Sequence, residues 1–279
     1  MTATPLQLLY AANVPVELQE PDRTPLGNSP IALAVCQVRT EPNPRAADHQ
    51  AMLRIYEALG GATGRVPRLS APSKGTQMFP TSPLLGPTLS LEQPGWRFGS
   101  DTGDLTVSVL EDSFAVETVN YSTWDGDEGF RSLLEQTSRA VGEQLSPTIE
   151  SRIGLRYVNQ IVSPPVTAPE GWRGLIDDAF LGPVVHGRAG TGVAAMEARA
   201  ALDLGDGKAC MLRYGSFLDS SRPGFQTFLV DIDCYREGGA PFSVENVLTL
   251  AEELNTAALA VFQMVVTEDL REHFREARQ

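Results

Sequence analysis

The stretch AMEARAALDLGDGKACMLRYGSF (195–217) decides the fold. Two strand-like runs flank Gly205-Asp206-Gly207, whose glycines accept the positive φ that a tight hairpin turn demands. The spacing predicts strands over 195–203 and 209–217, paired antiparallel. FQTFLVDIDCY (225–235) predicts a third strand, so 195–235 reads as a β-meander.

Working outward from it, the same signature recurs upstream. Short strands are expected at 88–92, 96–100, 105–110 and 114–121. The turns between them are Gln93-Pro94-Gly95, Asp101-Thr102-Gly103-Asp104 and Glu111-Asp112-Ser113. IALAVCQVRT (31–40) is apolar on both faces and predicts a buried strand that Pro42 and Pro44 end. A further strand is expected over 150–163. Asp48 caps a helix through about Leu59, with Met52, Ile55, Tyr56 and Leu59 on one stripe and Gly60-Gly61 as its stop. A second helix is expected from about Gly126 to Gln144, and a short one from Gly171 to Leu181. Ser243 caps a last, very apolar helix through Val266, and Thr267 with Asp269 opens a final segment ending at Phe274. A helix apolar around most of its girth is buried in the core or in an interface.

The fold class is therefore α+β: antiparallel β-meanders with helices packed on one face, and two similar halves, each a meander followed by a long helix. The expected divisions are an extended arm over 1–30, a first half over 31–163 and a second over 164–279, parted at Pro164-Pro165 and packed as one unit. Residues 60–88 carry five prolines and five glycines and read as irregular. That stretch is either a solvated insertion or a lid with Met78 and Phe79 at its apolar tip.

Composition narrows the function classes. The 279 residues are 42% hydrophobic and 20% charged, a globular balance, with a formal net charge of −13. A field of that sign repels nucleic-acid backbones and anionic membrane surfaces, so neither is an expected partner. The three cysteines, Cys36, Cys210 and Cys234, are well separated in sequence and are expected to be reduced and buried. Residues 1–30 lack a secretory signal pattern, and no long apolar run predicts a membrane span. A cytoplasmic location is the expectation.

Four stretches together resemble one family: PIALAVCQVRTEP (30–42), IGLRYVNQI (153–161), FLVDIDCYREG (228–238) and LNTAALAVFQMVVTEDLREHF (254–274). In order and spacing they are similar to a sporadically distributed bacterial family of unknown function. Leu-Arg-Tyr-Val-Asn and Asp-Ile-Asp are its most specific marks. The resemblance implies no catalytic or binding residues.

The chemistry must come from the residues themselves. The three histidines are scattered, and neither a His-x-x-x-His nor a Cys-x-x-Cys pattern is present, so no metal and no cofactor is expected. Gly190 to Ala195 matches Gly-x-Gly-x-x-Ala but precedes a strand instead of opening a helix. Alternation puts Arg152, Arg156 and Gln160 on one face of their strand and Ile153, Leu155, Tyr157 and Ile161 on the other. Arg199, Arg213, Asp231 and Asp233 fall on matching faces of the second meander. The arginines are candidates to grip an anionic group, and Asp231 or Asp233 to act as a general base. A cross-strand ladder of ion pairs would display the same residues. His186, in a glycine-flanked loop, is a third catalytic candidate. Tyr214 joins Arg152, Arg156, Arg199 and Arg213 as a substrate-binding candidate, although alternation turns Tyr157 and Tyr214 toward the core. Two functions fit: a small-molecule-binding protein, as a cofactor-independent biosynthetic enzyme or a subunit of one, or a non-catalytic adaptor that recruits a partner protein. Either is expected to form homo- or hetero-oligomers.

Overall fold

A computed structural model describes residues 14–74, 94–219 and 221–276. Among them, nine strands form one antiparallel sheet, with four helices packed against it: the expected α+β class. The strands are β1 (Ile31–Thr40), β2 (Arg68–Lys74), β3 (Pro94–Gly99), β4 (Leu105–Val109), β5 (Ser113–Thr118), β6 (Ile149–Val166), β7 (Met196–Gly205), β8 (Lys208–Leu218) and β9 (Gln226–Pro241). The helices are α1 (His49–Ala58), α2 (Phe130–Leu145), α3 (Val244–Val265) and α4 (Glu268–Arg275).

The sheet order is β2-β3-β4-β5-β1-β6-β9-β8-β7. It has an internal logic. β1 pairs with β5, the last strand of the meander that follows it, and β6 pairs likewise with β9. The two lead strands β1 and β6 then pair antiparallel at the centre. The repeat in topology starts at Ile149, and the sheet runs unbroken past residue 163.

Helix ends follow their caps. Asp48 accepts from Gln50 N at 2.9 Å, and Ser243 accepts from Asn246 N at 3.0 Å. Gly60 stops α1 with a φ of 95°, a left-handed conformation that favours glycine. Cys36, Val38 and Leu155 of the sheet share one core with Met52, Ile55, Leu134, Leu254 and Val261 of the helices. The sheet centre is pinned to this layer through α3, which lies on β6 and β9. The apolar side chains of α3 are buried or half-buried within the chain itself, so they offer no exposed apolar face for a partner.

Three expectations are corrected. Residues 68–74 are not irregular: they form edge strand β2, whose register shifts between Ser70 and Ser73, and an edge bulge is where a strand tolerates Pro72. β6 does not end at Ser163. It continues through Pro164 and Pro165 across a register shift between Ile161 and Val166. The expected helix over 171–181 is replaced by short 3-10 turns, Pro169–Trp172, Asp178–Phe180 and Gly182–Val185. Gly174, with a φ of 80°, interrupts any longer helix there. Cys210 and Cys234, distant in sequence, stand directly opposed across β8 and β9, both buried and free. The expected strand at 88–92 and the lid tip at Met78 and Phe79 lie outside the described residues.

Candidate functional site

The two most distinctive sequence marks lie side by side on β6 and β9. Arg156 stands opposite Asp233, Tyr157 opposite Ile232, and Val158 opposite Asp231. Alternation then sorts these residues onto two faces.

The face away from the helices holds an ion-pair network. Arg156 grips Asp231 with Nε and Nη2, both at 2.7 Å, a bidentate geometry. Arg213 reaches the same carboxylate at 3.6 Å. Arg152 bridges Asp233 at 3.4 Å and Glu237 at 3.6 Å, and its guanidinium lies 4.7 Å from the centre of the Tyr235 ring. Burial would lower the pKa of Arg156, and its bonds to Asp231 more than offset this. Burial raises the Asp233 carboxyl against the opposing pull of Arg152 and Arg156. A small apolar cluster of Leu33, Val158 and Leu229, joined by Val35 and Phe217, flanks the network.

The helix-facing side of the same strands floors a cavity of about 310 Å³. Tyr157 and Asn159 of β6 and Ile232 of β9 make the floor; Asn255, Ala258 and Phe262 of α3 make one wall, and Tyr121 and Trp124 another. The Tyr121 and Tyr157 rings meet edge-on at 5.4 Å. Burial raises the pKa of both, well above the ordinary value for Tyr157, so both hydroxyls keep their protons at neutral pH. The Tyr157 hydroxyl donates to Asn255 Oδ1 at 2.9 Å.

A strap, residues 22–31, crosses the mouth. Pro25 and Pro30 stiffen it. Asp22 and Gln263 exchange two hydrogen bonds, at 2.9 and 2.7 Å. Arg23 binds Glu252 at 3.1 Å and Thr256 at 2.6 Å. Asn28 N donates to the Phe274 carbonyl at 2.9 Å. Arg275 joins Asp22 to Glu268, each at 2.6 Å. Chain segments far apart in sequence thus border one opening.

The candidates from sequence divide accordingly. Arg152, Arg156, Arg213, Asp231 and Asp233 come together, in the network on the open face. Arg199 stands opposite Arg213 on β7 but is exposed. Tyr214 points to the helix side, its ring 5.1 Å from that of Phe180. His186 is exposed at the end of a 3-10 turn, its Nδ1 accepting from Arg188 N at 3.3 Å. None of these residues lines the cavity. Sequence reasoning missed Asn159, Asn255, Tyr121 and the strap. One signal was present: Asn159 interrupts the apolar stripe of Ile153, Leu155, Tyr157 and Ile161, and Asn255 likewise interrupts the apolar run of α3. Among the described residues, no cluster of three or more His, Cys, Asp or Glu side chains could hold a metal ion. No helix among them is long and apolar enough to cross a membrane. No family model and no curated protein matches the chain.

Proposed function

We propose that this is a cytoplasmic small-molecule-binding protein whose ligand occupies the strapped cavity between the sheet and α3. One observation carries the reading: a cavity of about 310 Å³ combines an aromatic wall with buried polar groups and is bordered by a strap distant in sequence. Ligand pockets run from about 300 to 1,000 Å³ and join apolar walls to a few placed polar groups, so the size suits one compact molecule. The described lining holds no histidine or cysteine. Its tyrosines are protonated donors, and its residues support recognition ahead of catalysis. The ion-pair network on the open face serves the same end. A slip of one residue between β6 and β9 would put Arg156 and Asp231 on opposite faces, one of them in the core, so the pair favours the register that presents Tyr157, Asn159 and Ile232 to the cavity.

Native mass spectrometry of the protein purified from its own host tests this. A small organic adduct that survives gentle ionisation is expected, lost in Leu259→Trp, which fills the cavity from α3. An adduct-free protein in which Leu259→Trp changes nothing sinks the reading. A stoichiometric second protein in place of the adduct would make the chain an adaptor.

A further inference from the structure

The two asparagines of the cavity say what kind of molecule fits it. Asn159 is 3% exposed and Asn255 8%. Each has one end of its amide held by the protein. Asn159 Nδ2 donates to the Val230 carbonyl at 3.0 Å. A carbonyl only accepts, so this bond fixes the amide orientation and leaves Oδ1 as an unused acceptor. Asn255 Oδ1 is taken by the Tyr157 hydroxyl at 2.9 Å, which leaves Nδ2 as an unused donor. Both side chains line the cavity. Neither free atom belongs to the sealed, partnerless polar atoms of the described residues, so both open onto that space. Buried polar groups are costly to leave unmade, and two amides anchored at one end present their other ends as a matched acceptor and donor.

Charge at the mouth narrows the class further. Arg23 is paired with Glu252, Arg271 with Glu268, and Arg275 with both Asp22 and Glu268. An anion would meet no uncompensated cation there, in a molecule whose net charge is −13. A cation would find the carboxylates of Asp22, Glu252 and Glu268 already engaged by guanidinium groups, and the other lining carboxylate, Asp125, exposed to water. A neutral molecule meets neither obstacle, and the rings of Tyr121 and Trp124 offer it a flat wall.

We propose that the occupant is an uncharged ring compound carrying an amide-type N–H and C=O, a lactam or ureide, its N–H donating to Asn159 Oδ1 and its C=O accepting from Asn255 Nδ2. This rests on the cavity being the binding site. Saturation-transfer NMR on the full chain tests it with uracil, δ-valerolactam, their fully N-methylated counterparts, and benzoate. The N–H compounds are expected to bind, methylation to weaken binding by roughly tenfold or more, and benzoate to give no signal. The double variant Tyr157→Phe with Asn255→Leu removes both partners of the internal bond, keeps the fold by circular dichroism, and loses the N–H compounds. Equal binding of the methylated counterparts, tighter binding of benzoate, or retained binding in the double variant overturns the amide proposal and leaves the cavity standing as the site. A native adduct that is charged or lacks an amide does the same. Silence from every probe together with an adduct-free native protein overturns both readings.

Discussion

Asp231 is 5% exposed and held by two guanidinium nitrogens of Arg156, with Arg213 close by. Removing its carboxylate leaves two half-buried cations facing each other, with Asp233 the remaining opposite charge beside Arg156. Asp231→Ala is expected to cost about 3–5 kcal/mol in urea unfolding, whereas Arg156→Met and Arg213→Met combined with Asp231→Leu cost far less, because neither cationic partner of that carboxylate is left stranded. A loss for Asp231→Ala below about 1 kcal/mol would mean the pair behaves as a solvated surface bridge. Alternation grouped Arg152 with Arg156, and Asp231 and Asp233 with Arg213, but the pairing of β6 with β9 that joins the two sets was not legible in it. Alternation turns Tyr157 toward the core, but it cannot say that the packing there leaves a cavity. That is why Tyr157 and Asn159, on the other side of the same strand, escaped notice as site residues. A buried Asn in an apolar stripe was the readable clue, and its meaning needed the partner helix in place.

At the level of elements, caps and turns were the most legible features: Asp48, Ser243 and Gly60 do what their chemistry demands. The failures share one cause. Pro72, Pro164 and Pro165 were taken as breaks, yet each lies in or beside a register shift, where a missing N–H is tolerated. Whether a proline ends a strand or merely bulges it depends on the neighbouring strand, which lies far away in sequence. One tie between elements has a pH signature. Glu41, just past β1, accepts from Thr148 N at 2.7 Å, Thr148 Oγ1 at 2.8 Å and Ile149 N at 3.0 Å, joining the exit of β1 to the start of β6. Burial alone would raise its carboxyl; these bonds outweigh that and hold it at about 2, against an ordinary 4.5. Between those values the unfolded chain binds the proton and the folded one does not, so this stabilisation is present above about 4.5 and fades as pH falls toward 2. Denaturant midpoints across that window are expected to fall less steeply with acid in Glu41→Gln than in the parent. Parallel curves would show that the tie contributes nothing.

Across the whole molecule, the strap makes the cavity conditional. Its anchors are largely ionic and exposed, so they weaken with salt. Asp22→Asn is expected to raise hydrogen exchange at the backbone amide of Asn28 severalfold while leaving the amides of β6 and β9 unchanged, and added salt to reproduce the effect in the parent. Equal protection in variant and parent would show that packing, not charge, holds the strap. The sheet order itself was only half legible. Two meanders each followed by a long helix could be read, but the central pairing of β1 with β6 is set by how the two halves dock. Asp22 and Arg275 lie 253 positions apart. On a ribosome, the sheet centre and the floor of the cavity have emerged while its latch has not. The α3 wall of the chamber and its latch are thus the last parts to be made, so the floor laid down earlier stays uncovered until the final helices dock onto it.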